Sequence, residues 1–106
     1  MDAVIATVDG EIDMATAPRF VRHIEELLTG RPPAVIADLT RVSFLGSAGV
    51  IGLLTLASAA QGVNVPFCLV SDQRAVLRPL QVTAVDRAIV VHRTLADART
   101  WLAGPD

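Results

Sequence analysis

The sequence has no lysine, no tyrosine, one cysteine and one tryptophan in its 106 residues. Without lysine there is no Schiff-base nucleophile and no P-loop, whose Gly-Lys-Ser/Thr ending requires one. Cys68 has no second cysteine to pair with, so neither an intrachain disulfide nor a Cys-x-x-Cys site can form. It lies in the apolar run Val65-Pro66-Phe67-Cys68-Leu69-Val70 and reads as a buried core thiol. Three phenylalanines and one tryptophan make a poor base-stacking platform. An excess of one charge is missing too. Nine arginines against eleven carboxylates leave a formal charge of −2 and no basic stripe, which excludes a general nucleic-acid binder. The longest apolar stretch, around Val50 to Ala60, is interrupted by Gly52, Thr55 and Ser58. It is shorter than the ~20 residues a bilayer-spanning helix needs, so no membrane insertion is expected. Met1-Asp2-Ala3 has no basic region ahead of the first apolar stretch, so no secretory signal is read there and a cytoplasmic location is expected.

What is present is apolar: 52% hydrophobic against 19% charged residues, enough for a folded core in one domain over 1–106. Val4 to Val8 reads as a strand, with Asp9-Gly10 either turning the chain or lying within a longer strand. A helix follows over about Thr16 to Leu28. Phe20, Ile24, Leu27 and Leu28 share one face, Asp13 or Thr16 can cap it, and Pro18 sits in the first turn where its missing N–H is harmless. Ala34 to Leu39 is nearly continuous in hydrophobicity, the pattern of a strand covered on both faces. A second helix runs from Ser47 to about Gln61 with Ile51, Leu53, Leu54, Leu56, Ala57 and Ala60 around most of its circumference. It therefore reads as heavily buried, with Gly62 suited to a left-handed end. Val63 to Val70 is a third strand. Ser71 or Asp72 then caps a helix shortened or kinked by Pro79. Ala88 to Val91 is a fourth strand, and Thr94 caps a last helix carrying Leu95, Ala98, Trp101 and Leu102. Strand and helix alternate, which is an α/β layer fold.

Chemistry concentrates in Asp38-Leu39-Thr40-Arg41-Val42-Ser43-Phe44-Leu45-Gly46-Ser47-Ala48-Gly49. Ser47 stands between two glycines where a loop enters a helix. A helix N-terminus presents free N–H groups and partial positive charge, so a phosphate on Ser47 would be tolerated there. The plainer role for Ser47 is an N-cap worth about 1 kcal/mol. A nucleophile elbow would need glycine where Leu45 stands, and a base beside the serine. Nothing places His23, or His92 with Asp97, near Ser47, so no catalytic residue is assigned. Two histidines and one cysteine, far apart, lack metal-ligand spacing, and His23 reads as solvated surface. No glycine pattern binds a dinucleotide, and no cofactor is expected.

Taken together, Gly10-Glu11-Ile12-Asp13, Ala15-Thr16-Ala17, Val35-Ile36-Ala37-Asp38-Leu39-Thr40 and Val42-Ser43-Phe44-Leu45-Gly46-Ser47-Ala48-Gly49, in this order, resemble a STAS domain of the type found in bacterial anti-sigma factor antagonists. The resemblance runs from about Val4 to Arg99. It implies a small mixed β-sheet of about four strands packed with about four α-helices, and a binding protein rather than an enzyme. The implied partner is an anti-sigma factor, of the serine-kinase type, whose capture frees a sigma factor. Phosphorylation of a serine in an Asp-Ser-Ser/Thr-Gly loop switches such antagonists off. Ser47 takes the acceptor's place and Gly49 the glycine's, while Gly46 replaces the aspartate and Ala48 the hydroxyl residue. Asp13, Asp38, Gly46, Ser47, Ala48 and Gly49 are the implied partner-binding positions, with Asp13 and Asp38 expected near the same end of the sheet. Helix cap and strand-end turn residue are equally open roles for those two acids. The family usually has one more strand ahead of Val4, so either that edge strand is lost or the start lies further upstream; an uncovered edge invites pairing, and a monomer or weak homodimer is expected. A constitutive subunit of a lipid-transport ABC system, or another STAS module without phosphorylation, is the alternative; a small-molecule or nucleotide sensor using the same helix end is a third.

Overall fold

A computed structural model describes residues 2–104; positions 1, 105 and 106 of the domain expected over 1–106 lie outside them. The elements in chain order are β1 (Val4–Ile12), α1 (Ala17–Thr29), β2 (Val35–Leu45), α2 (Ser47–Gly62), β3 (Phe67–Val70), α3 (Arg74–Val82), a 3-10 turn (Val85–Arg87), β4 (Val90–His92) and α4 (Leu95–Ala103). The strands form one sheet in the order β1-β2-β3-β4, and every pairing is parallel. The α/β class and the four strands and four helices hold among the described residues, but the sheet is not mixed. Each strand reaches the next through a helix, which returns the chain to the end it left, and that makes neighbours parallel.

The strand order also decides where the helices go. Crossovers between parallel strands are right-handed. Because the sheet always steps in the same direction, three right-handed crossovers land on one face. There Phe20, Ile24 and Leu28 of α1, Leu53 and Leu56 of α2 and Val76 and Leu80 of α3 share a core with Val35, Ala37, Leu39, Val42 and Leu45 of β2. Among the described residues the other face is left to α4 alone. It covers a small cluster of Ile36, Cys68, Val70 and Ala98, with Ile5, Leu95 and Leu102 against it. Cys68 is fully buried, as its apolar neighbours imply, and loss of water pushes its thiol up to about 11. It is inert as a nucleophile at neutral pH.

The longer of the two courses left open for β1 is the one taken, and β2 outruns its expected end, for a shared reason. β1 continues through Asp9-Gly10 to Ile12, with Gly10 at φ 83°, and β2 continues past Leu39 to Leu45. Residues buried along a strand recur every second position, yet Leu39, Val42 and Leu45 recur every third. The register explains this. From Thr7 to Asp9, β2 advances from Asp38 to Arg41, and from Gly10 to Glu11 it advances from Val42 to Phe44. Each step inserts one extra residue into β2, and a bulge of that kind returns the next apolar side chain to the core. β1 and β2 therefore project as a two-stranded ribbon beyond Val70 and His92, where β3 and β4 end.

Three further details depart from the sequence reading. β3 is only Phe67–Val70, and β4 begins at Val90 because a 3-10 turn takes Val85–Arg87. At the end of α2 the left-handed residue is Asn64 (φ 57°), while Gly62 is still helical. Asn tolerates that conformation better than most side chains. Pro79 lies inside α3, which continues to Val82 and ends where the Thr83 hydroxyl and N–H both donate to the Pro79 carbonyl, at 2.6 and 3.1 Å. Thr94 caps α4 as expected, its hydroxyl oxygen accepting from the Asp97 N–H at 3.0 Å.

Candidate functional site

The ribbon delivers α2. The last residues of its strands pair as Ile12 with Leu45, and the Gly46 N–H donates to the Ile12 carbonyl at 2.9 Å. Gly46 is the N-cap, extended at φ −89° and ψ 179°, and its carbonyl accepts from the Val50 N–H at 3.1 Å. Ser47 is thus the first helical residue and not the cap, which corrects the plainer role. Its side chain is exposed at a helix end whose first N–H groups have no intrahelical partner.

The glycines beside it do separate jobs. Gly49 is buried, and a Cβ there would stand 2.5 Å from Leu45 Cδ1 and 2.7 Å from Ile12 Cγ2. It lets α2 lie directly on the ribbon and has no surface to offer a partner. Gly52 does the same against α1, where a Cβ would meet Val21 Cγ2 at 2.6 Å. Gly46 and Ala48 are half-buried.

Asp13 follows the end of β1 and so lies beside the Gly46 anchor. Its carboxylate accepts from the N–H groups of Ala15 at 2.9 Å and Thr16 at 3.0 Å. The Asp13 N–H donates in return to the Thr16 hydroxyl, at 2.9 Å. The Thr16 hydroxyl is 2.7 Å from the Glu11 carbonyl and 3.1 Å from the Asp13 carboxylate, both of which can accept its proton. Thr16's backbone N–H first, then its hydroxyl, holds the Asp13 carboxyl below its ordinary value. Asp38 lies elsewhere. It pairs with Thr7 and Val70 in the body of the sheet, and its carboxylate accepts from the Thr40 hydroxyl at 2.7 Å and the Thr40 N–H at 3.1 Å. Leu45 lies seven positions further along β2, on the order of 20 Å of strand. The structure brings Asp13, Gly46 and Ser47 together and leaves Asp38 out.

Sequence reasoning missed the apolar surface around Ser47. Ile51 is 65% exposed and Leu54 45%, although both read as core, and Phe44 just before the turn is 48% exposed. Ser47, Ile51, Leu54 and Ser58 follow the i, i+4, i+7, i+11 spacing of one helix stripe. The signal was available. Ser47, Thr55 and Ser58 mark the outer side of α2, and the two glycines mark the inner side.

Neither histidine lines the surface beside Ser47, although His23 shares a pocket with Glu11, Ile12 and Thr16. His92 is on β4, two strands from β2, with its ring 5.4 Å from that of Trp101. His23 is exposed on α1. No group of three or more potential ligands that could hold a metal ion occurs among the described residues. No helix among them is long and apolar enough to cross a membrane.

Residues 1–98 match the model of the STAS domain. The chain is 33% identical over 100 residues to the anti-sigma-F factor antagonist RsfB of Mycobacterium tuberculosis, covering 94% of this chain and 81% of that one. A crystal structure of an anti-sigma factor antagonist from Mycobacterium paratuberculosis superposes with a TM-score of 0.88 at 34% identity, over 95% of this chain and 86% of the other. The unphosphorylated form of the anti-sigma factor antagonist SpoIIAA superposes with a TM-score of 0.79 over 99% and 91% of the two chains; at 19% identity that likeness speaks for the fold alone.

Proposed function

The chain belongs to the STAS domain family, and from that premise we propose that it is an anti-sigma factor antagonist, which binds an anti-sigma factor in the cytoplasm and thereby frees a sigma factor. The observation that carries the reading is the likeness, over almost the whole chain, to an antagonist of that name. The site supports it. A serine stands exposed at the head of α2, in line with Ile51 and Leu54 and beside Phe44, on a turn fixed by the Ile12 carbonyl. This is a surface for binding, and its action needs no catalytic residue.

The partner is a kinase-type anti-sigma factor that phosphorylates Ser47. The free N–H groups of α2 accommodate the phosphate in the isolated protein. In a complex the same group places about −1.5 to −2 units of charge inside an apolar contact. An uncompensated charge buried there costs several kcal/mol, enough to release a partner. Pull-down of kinase-type anti-sigma proteins with wild type and Ser47→Glu tests the reading. Wild type should retain one and Ser47→Glu should not. Equal retention removes the switch, and no retained anti-sigma factor removes the assignment. Intact mass from the native host before and after phosphatase locates the modification.

Gly46 and Ala48, in place of the acidic and hydroxyl neighbours expected of the acceptor loop, favour one second reading: a constitutive STAS-type subunit, as in a lipid-transport ABC system. There binding would be permanent, and Ser47 would stay unmodified in every growth condition.

A further inference from the structure

We infer that the groove between the head of α2 and α3 receives a helical segment of the partner that carries carboxylates along an apolar stripe. The inference deepens the proposed function, since it gives the chemistry of the partner surface that meets the Ser47 region.

The groove encloses about 690 Å³. One wall runs from Phe44 through Ser47 to Val50, and the other is α3 from Arg74 to Thr83. Its lining is almost wholly apolar, and Val82 on the far rim is 77% exposed, the counterpart of Phe44 on the near one. An apolar channel of this length with open rims suits a helix laid into it. Among the described residues the charges along it all have one sign: Arg74 and Arg78 line it, both exposed, and no aspartate or glutamate does. They are four residues apart on α3, about one helical turn or 6 Å. A partner helix with acids spaced three or four residues apart would meet both. The chain as a whole carries −2, so this local positive rim is set against its surroundings. That favours an acidic peptide surface over an extended polyanion such as a nucleic acid or an anionic membrane.

The test uses the full chain, ¹⁵N-labelled, and two helical peptides with the same leucine stripe, one flanked by glutamate at i and i+4 and one by lysine. The glutamate peptide should shift the amides of residues 44–50 and 74–83. Arg74→Glu with Arg78→Glu should weaken it at least tenfold and reverse the preference between peptides. Arg74→Gln with Arg78→Gln should fall between, and an unchanged melting temperature shows that the fold is intact. Equal binding of both peptides, shifts elsewhere, no shift at millimolar peptide, or preference for phosphatidylglycerol vesicles would each overturn the inference. The arginine variants also enter the anti-sigma pull-down. If wild type binds and they bind equally well, this inference alone fails. If wild type binds no anti-sigma factor, the proposed function fails, and the peptide result still decides the chemistry of the groove.

Discussion

The two sides of α2 are built from similar residues and do opposite things. On the inner side Val50, Leu53, Leu56 and Ala60 join the main core, with Gly49 and Gly52 letting the helix backbone approach β1, β2 and α1. On the outer side Ile51 and Leu54 are as apolar, but face solvent beside Ser47. Hydrophobicity alone does not separate a core face from a docking face. What separates them is the size of the residues between the apolar ones. Glycines on the inner side permit contact at distances a Cβ would forbid, while hydroxyl residues on the outer side keep a contact surface soluble. An exposed apolar stripe beside Ser47 is the surface that the proposed function assigns to the partner.

The sharpest way to break the contrast is from the inside. Leu53 is fully buried, and Leu53→Ala should cost about 2–5 kcal/mol, seen as a lower urea midpoint with unchanged slope. Next comes the glycine that sets the helix on the ribbon. Gly49→Val must displace Leu45 and Ile12 and should cost about 1–3 kcal/mol. Gly62→Ala, where a Cβ meets nothing within 4 Å, should be near neutral in the same measurement. The outer side should respond in the opposite sense. Ile51→Asp with Leu54→Asp should alter stability by no more than about 0.5 kcal/mol, as at ordinary surface sites, yet weaken anti-sigma binding at least tenfold in a titration. An outer-side variant that lost stability while its binding stayed normal would erase the distinction between the sides.

The smallest effect concerns the turn beneath Ser47. Asp13 has its carboxyl pKa lowered in the folded chain. The stabilisation from its ionised form is therefore present above the unfolded carboxylate value, about 3.9, and is lost as pH falls through the lower folded value. Asp13→Asn should match wild type more closely at pH 2.5 than at pH 7 in urea midpoints. A gap of the same size at both pH values would show that charge at Asp13 contributes nothing.

Much of this was legible in the sequence because local signals agreed with the fold. Thr94 announced its cap, the run from Val63 to Val70 a buried strand whose second half forms as β3, and the period of Phe20, Ile24 and Leu28 its helix. Of the ribbon, only the β1 half was open to reading as strand. Two bulges in β2 change the burial period from two to three, so Val42 to Leu45 read as loop. Asp38 was grouped with Asp13 for the same reason: only the register shows that one acid ends a strand while the other sits mid-sheet. The exposed flank of α2 was missed because apolar residues on both sides of a helix imply burial unless a partner is missing from view. Asn64 in place of Gly62 at the left-handed position reflects a helix that runs one residue further than its last polar side chain suggested.

The unbroken strand order has a consequence for how the chain is made. Val4 pairs with Val35, Val35 with Phe67 and Cys68 with Val90. Each strand waits only for the one that follows it, and none must be held open for a later arrival from the far end. Emerging from the ribosome N-terminus first, the chain can add one strand and its covering helix at a time. Among the described elements α4 comes after β4, so the second face is covered only once all four strands of the sheet are in place.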